Sequence, residues 1–256
     1  MRQLIAFTKK EFLEQCRTGK LLLFVIIFAL FGIMNPAIAK LTPWMMDMMS
    51  EQFAESGMQI MAVEVDALTS WAQFYKNMPM ALIILLILFC GIFTTEYHKG
   101  TLINVVTKGM KRWKIFIAKL GVMVIVWTLG FLMSYGITYA YNAYFWDNSV
   151  AHNIAAAAGC FYLLGLWLIS VLGMASVFCN SAGSVMLVVG AAFAVSYLLS
   201  LFPAVKEYMP SYLLQSTGLL AGLSEGADFL WAAAVTAMLI VSGCMISVTM
   251  FNKKNL

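Results

Sequence analysis

Six long apolar runs punctuate the chain, at residues 21–39, 78–95, 115–141, 153–179, 184–201 and 229–251. Each approaches or exceeds the ~20 apolar residues a helix needs to cross the hydrocarbon of a bilayer. The pattern therefore predicts an all-α membrane protein with six transmembrane helices. No internal repeat, linker or low-complexity tract interrupts it, so residues 1–256 read as one membrane domain.

The segments between the runs carry shorter periodicities. In residues 2–18, Leu4, Ile5, Phe12, Leu13 and Cys16 group on one helix side, with Gln3, Lys10, Glu14 and Arg17 opposite. That pattern predicts a basic amphipathic helix lying along a membrane surface. A secretory signal competes for the same stretch, because Asn35-Pro36 and Ala37-Ile38-Ala39 imitate a break and a cleavage site. Residues 40–77 predict an outer loop with one or two surface helices. Thr42-Pro43 suits a helix start, and Met61, Val65, Leu68, Ala72 and Tyr75 form one face, a cap over a pore mouth. Met45, Met48 and Met49 share a face that could offer thioethers to Cu(I), or serve as pliable apolar filler. In the fifth run Ala192, Ser196 and Ser200 fall four apart, a small-residue ridge for close packing within the chain or between two copies. Residues 202–228, broken by Pro203, Pro210, Gly218, Gly222 and Gly226, predict short surface or half-entering helices.

Charge sorts these segments by side. Of sixteen Lys and Arg, thirteen fall in the termini and even-numbered turns beside only Glu11, Glu14 and Glu96; the other segments hold Lys40, Lys76 and Lys206 against nine acids. This is the positive-inside pattern, with both termini cytoplasmic, and it is not the footprint of nucleic-acid binding. At 62% hydrophobic residues and a mean hydropathy of +0.86, the chain is not a soluble domain. The five cysteines lie in or beside the runs, so no exported disulfide framework is indicated. The run centres carry no ionisable residue, which disfavours ion-coupled carriage. His98 and His152 fall on opposite sides and share no metal. No H-E-x-x-H, G-x-S-x-G or P-loop is present, so ATP, if it drives this protein, binds elsewhere.

The most informative stretch is residues 96–119, EYHKGTLINVVTKGMKRWKIFIAK, which holds six of the sixteen basic residues. Leu102, Val105 and Val106 fall at i, i+3 and i+4 and put three apolar side chains on one helix face. Glu96 followed by Gly100-Thr101, then Arg112 and Lys119 seven apart, resembles the cytoplasmic loop of ABC-2 type transporter permeases, whose E-x-x-x-G-T precedes a short coupling helix and whose R-x6-K enters the third span. Gly109 and Lys111 stand where such loops often carry Pro and Ser. The resemblance implies an N-terminal elbow helix, a coupling helix between spans 2 and 3, and half-entering helices before the last span. It also implies a separate ABC ATP-binding subunit contacted through Glu96, Tyr97, Gly100, Thr101, Leu102, Val105, Val106 and Arg112. No cofactor is then expected in this chain, since ATP and Mg belong to that subunit. A second permease copy or paralogue, surrounding membrane lipid and a bacterial plasma membrane complete the expected setting. The uncharged interior suits a hydrophobic or amphipathic cargo, such as a peptide, lipid or drug. A reading from another class also fits: a sensor, immunity or assembly subunit that transports nothing and whose basic loop binds a partner or anionic lipid.

Overall fold

A computed structural model describes residues 2–54 and 65–254, with side chains outside 49–54. Its helices in chain order are α1 (Arg2–Arg17), α2 (Lys20–Ala54), α3 (Ala67–Phe89), α4 (Thr94–Lys99), α5 (Thr101–Thr107), α6 (Arg112–Phe145), α7 (Ile154–Phe178), α8 (Ala182–Leu199), α9 (Thr217–Leu220) and α10 (Leu230–Lys253). Among the described residues six segments are long and apolar enough to cross a membrane, and they coincide with the six apolar runs. Helices also stand before the first span (α1) and between the second and third (α4 and α5).

The first two spans outrun their apolar runs. Asn35-Pro36 does not break α2, and Thr42-Pro43 does not open a new helix; one helix continues from Lys20 through both prolines to Ala54. Proline at position 36 cannot donate to the carbonyl of Gly32, and inside a bilayer a neighbour must satisfy that group. The Thr138 hydroxyl of α6 donates to it at 3.0 Å. Beside it, Asn77 of α3 donates to Asn35 at 2.9 Å.

The surface cap expected over residues 60–77 is not a separate element. Asp66 caps α3 by accepting from the Thr69 amide at 2.9 Å, and the helix runs unbroken through Pro79 into the second span. Leu68 is half-buried and Tyr75 fully buried, packed with Phe74 and Phe161 inside the bundle. Val65 precedes the cap residue, and Met61 lies outside the described residues. Of the expected face only Tyr75 is buried and Leu68 half-buried, while Ala72 is exposed, so the periodicity did not trace the packed side of α3.

At the bundle centre aromatic rings interlock: Phe24, Phe28, Trp127, Phe131 and Phe161 form a chain of centroids 4.2–6.3 Å apart. Two glycines admit them. A Cβ on Gly130 would stand 2.3 Å from the Phe24 ring, and one on Gly165 2.4 Å from Trp127. Between helices in lipid such close fits supply association that apolar burial cannot, since lipid tails are equally apolar.

Residues 202–228 form short helical pieces, most of them 3-10 turns, that pack Pro210, Leu213, Leu219 and Leu220 into the core. The small-residue ridge of α8 serves this packing. Ser196 accepts from the Ser211 amide at 3.1 Å, and Ser211 donates to the Ser196 carbonyl at 2.9 Å. Ser200 is buried and donates to Tyr197, while Ala192 is half-buried against the core. Ser196 therefore belongs to packing within the chain.

Candidate functional site

The charged residues of α1, α4 and α6 meet at one end of the bundle. This basic end carries α1, the α4–α5 pair, the α7–α8 turn and the C-terminal residues. Lys119, two turns into α6, is 1% exposed. Its ammonium lies 2.7 Å from Glu11, also 1% exposed, and 3.0 Å from Glu96. Lys10 reaches the same acids from the outside, 2.9 Å from Glu11, 2.7 Å from Glu14 and 3.7 Å from Glu96. Two lysines and three glutamates thus tie three elements together.

The network explains why α1 folds onto the bundle as it does. Its most buried residues are Glu11 and Gln15, one turn apart, with Phe7 and Phe12 partly buried beside them; Ile5 and Leu13 face outward. The apolar periodicity of residues 2–18 thus did not identify the packed face. An isolated charge inside a membrane protein is expensive and draws a counter-charge, and Lys119 draws Glu11 inward. Gly19, at φ 73°, then ends α1 in the left-handed turn that an L side chain resists and lets α2 descend.

Electrostatics of the outer part follow from this geometry. Burial by itself lowers the Lys10 ammonium, but hydrogen bonds to Glu14 and Glu11 and the charge of Glu96 outweigh it, and its pKa rises above the usual lysine value. The hydrogen bond from Lys10 holds the Glu14 carboxyl below its ordinary range.

A second set of contacts fixes the other flank of α4. The Arg112 guanidinium donates to the carbonyls of Asn252 and Lys254. Lys254 donates to the Val177 carbonyl at 2.8 Å and sets its ammonium 4.0 Å over the Tyr97 ring. Gly100, at φ 63°, turns the chain from α4 into α5. On α5, Leu102 is 1% exposed and belongs to the core, with Val105 and Val106 half-buried against it. This corrects the expectation that Leu102, Val105 and Val106 form a free docking face: they hold α5 to its own chain. The outward side presents Thr101, Ile103, Asn104 and Thr107, with Ile103 46% exposed.

Of the residues expected from the sequence, Glu96 pairs with Lys119, while Glu96, Tyr97, Gly100 and Leu102 line one hollow beside Lys254, whose carbonyl Arg112 holds. The structure adds Lys10, Glu11 and Glu14, whose involvement was missed. Lys119 lies within the 115–141 run, so the runs are free of Asp, Glu, Lys, Arg and His only towards their middles. Among the described residues Glu11, Glu14 and Glu96 are the only three that gather as metal ligands would, and lysines already answer them. The arrangement offers no nucleophile with a base; it is a charged joint between elements.

No family model matches the chain. It is similar from end to end to YxlG, an uncharacterized transmembrane protein of Bacillus subtilis (strain 168), at 23% identity over 266 aligned positions that cover 99% of this chain and 98% of that protein. With six bilayer-length apolar helices, one reading follows. This is a multi-pass membrane protein. Its N- and C-terminal segments lie at one end, where Lys114 donates to Gln3 at 2.8 Å and Arg112 to the carbonyls of Asn252 and Lys254.

Proposed function

We propose that this chain is the permease subunit of an ATP-driven exporter of the ABC-2 type, passing a hydrophobic or amphipathic cargo and driven by a separate ATP-binding subunit. Two permease copies, identical or paralogous, would pair with two such subunits in a bacterial plasma membrane, with both termini cytoplasmic. The observation that carries this reading is the mounting of α4 and α5. Two short helices project from the basic end, anchored on one flank by Glu96 to Lys119 and on the other by Lys254 over Tyr97. A rigid mount of this kind can carry a push from a docked partner into α6, because the ion pair joins the short helices directly to a span. The partner would meet the exposed side of α5, centred on Ile103, rather than the face that Leu102 commits to the core.

A photo-crosslinking amino acid at position 103, introduced in the native host, tests this. The expected product joins the chain to a protein carrying a P-loop, with ATPase activity in the purified complex. The same label at the buried position 102 should give none. Labelling at 103 that reaches lipid alone, with no ATPase activity co-purifying, would support the reading as a sensor or assembly subunit instead.

A further inference from the structure

From the basic end, α2 and α6 run side by side in one register. Gly130 of α6 takes the Phe24 and Phe28 rings of α2. Further along, a Cβ on Gly32 would stand 3.1 Å from the Ser134 carbonyl, and the Thr138 hydroxyl bonds the Gly32 carbonyl. Further still, the Lys40 ammonium sits 3.5 Å over the Phe145 ring. The two ends of this seam differ in chemistry. Toward the basic end it is a lock of rings in a glycine notch. Among the described residues neither helix has an unpartnered buried side-chain nitrogen or oxygen there.

Beyond Phe28 the seam turns polar. Ser134, Thr138 and Asn142 fall four apart on one side of α6, and all three are 0% exposed. Stepping four residues on from the Thr138–Gly32 contact sets Asn142 level with Pro36, next to Asn35, which is also 0% exposed. Thr138 is satisfied by Gly32, but Ser134 Oγ, Asn35 Nδ2 and both amide atoms of Asn142 have no hydrogen-bond partner. On α3, whose Asn77 bonds the Asn35 oxygen, Ser70 Oγ and Tyr75 Oη are unpartnered too. Six buried polar atoms on three packed helices are thus unpaired, all on the far side of the ring lock. Such groups cost folding free energy, and native cores keep few of them.

We infer that α2 and α6 splay apart beyond Phe28 and admit water to Asn35, Ser134 and Asn142, while the ring lock stays shut. Close fit at Gly32 and Ile137, with Lys40 over Phe145, favours the closed seam. The unpaired amides and hydroxyls oppose it, because opening gives them water as a partner. Parting the ring lock would bring no such gain. The seam is therefore a gate within one chain that opens at one end only, whichever partner drives the chain.

Cysteine reactivity of the full chain in lipid nanodiscs tests this, with a charged methanethiosulfonate reagent and a cysteine-free background. Ser134→Cys, nearly isosteric, should react about tenfold or more faster than Val126→Cys, which is equally buried on the basic-end side of the ring lock. Asn142→Leu removes two unpaired atoms and favours the closed seam, so it should slow the reaction of Ser134→Cys about tenfold. With the native cysteines in place, Asn142→Leu should raise the melting midpoint by about 2–4 °C, since the closed state loses an uncompensated amide. That measurement stands even if a cysteine variant fails to fold. Equally slow reaction at positions 134 and 126 overturns the proposal. A lower melting midpoint for Asn142→Leu also overturns it, by assigning the amide to a partner held within a closed seam.

Discussion

Glu96 and Lys119 meet at 3.0 Å, joining the start of the short-helix pair to a point two turns inside α6. Burial gives this contact its weight: Lys119 is 1% exposed and the Glu96 side chain 13%. Removing two charges from water offsets much of their attraction, so such a pair adds little net stability. Deleting one member is different, because the remaining charge stays buried without compensation.

Lys119→Met should therefore destabilise the protein by about 3–5 kcal/mol. It leaves Glu11, 1% exposed, only the half-exposed Lys10 at 2.9 Å, and Glu96 only the same lysine at 3.7 Å. The added change Glu11→Leu should recover part of the loss, since it removes the buried carboxylate that has lost its closer partner. Thermal unfolding in detergent, followed by tryptophan fluorescence, reads both effects. A single variant melting like the unmodified chain would mean that the network does not hold the elements together.

The outer half of the network should respond to pH and salt. The Glu14 pKa is lowered in the folded protein, so its contribution is present above the ordinary value of 4.5 and is lost as pH falls through the depressed one. The Lys10 pKa is raised, so its contribution is complete below the ordinary 10.5 and fades only as pH climbs through the higher folded value. The attachment of α1 is thus fully supported across neutral pH. Both side chains are about half exposed, which makes this share of the binding modest and open to screening. Nitroxides at the exposed positions Leu13 and Lys99 should report one narrow distance near neutrality. The distribution should broaden below about pH 4.5 and, to a lesser degree, in molar salt.

Pro36 and Thr138 act on one carbonyl, that of Gly32, and so predict a non-additive pair. Thr138→Val leaves the Gly32 carbonyl buried without a donor, a loss of about 1–3 kcal/mol. Pro36→Ala restores the amide that a regular helix would supply. In that background Thr138→Val should be nearly neutral. Equal losses in both backgrounds, measured by the same melting assay, would show that the hydroxyl is not replacing the proline's missing amide.

Much of this architecture was legible because hydropathy and length decide which helices can cross a bilayer, and α6, α7, α8 and α10 fall close to their apolar runs. The ends of α2 and α3 were hidden for a physical reason. Proline and polar residues signal breaks in water, yet within a bundle Thr138 satisfies the carbonyl that Pro36 leaves open, Asn77 binds the Asn35 side-chain oxygen, and the helix continues. Periodicity at Leu102, Val105 and Val106 located a packed face correctly but could not say which partner it packs against. The ion network had a readable sign. Lys119 lies in an apolar run, and the basic side holds only three acids, Glu11, Glu14 and Glu96. Any counter-charge had to come from these, and all three gather there. The sequence pattern of α1 pointed elsewhere because apolar periodicity cannot register a face chosen by a buried charge.

Sidedness is testable on residues whose exposure is known. Thr107 is exposed and Asn148 half-buried, at opposite ends of the bundle. In a cysteine-free background, Asn148→Cys should react with an impermeant thiol reagent added to intact cells, and Thr107→Cys only after lysis. The sixteen basic residues, thirteen of them at the end that carries Thr107, set this direction. Labelling of Thr107→Cys in sealed cells would invert the topology and with it the proposed docking side.

The sharpest test of the proposed coupling separates the two sides of α5. Ile103 is 46% exposed, so Ile103→Asp adds a solvated carboxylate and should leave folding and insertion unchanged. If a partner docks on this side, the same carboxylate becomes buried at the interface, and an unpaired buried charge costs several kcal/mol, enough to abolish docking of one short helix. ATPase association and transport should then vanish together. Leu102→Asp should fail differently. Its carboxylate enters the chain's own core, where Leu102 is 1% exposed, and the protein should lose stability before any partner is involved. Val105→Asp falls between them, because Lys10 and Lys108 line the same surface hollow and can answer the new charge, so that variant should fold. Size-exclusion elution of each variant from detergent separates loss of fold from loss of partner. If Ile103→Asp retains both the ATPase and transport, α5 does not dock through this side, and the exporter reading loses the observation that carries it.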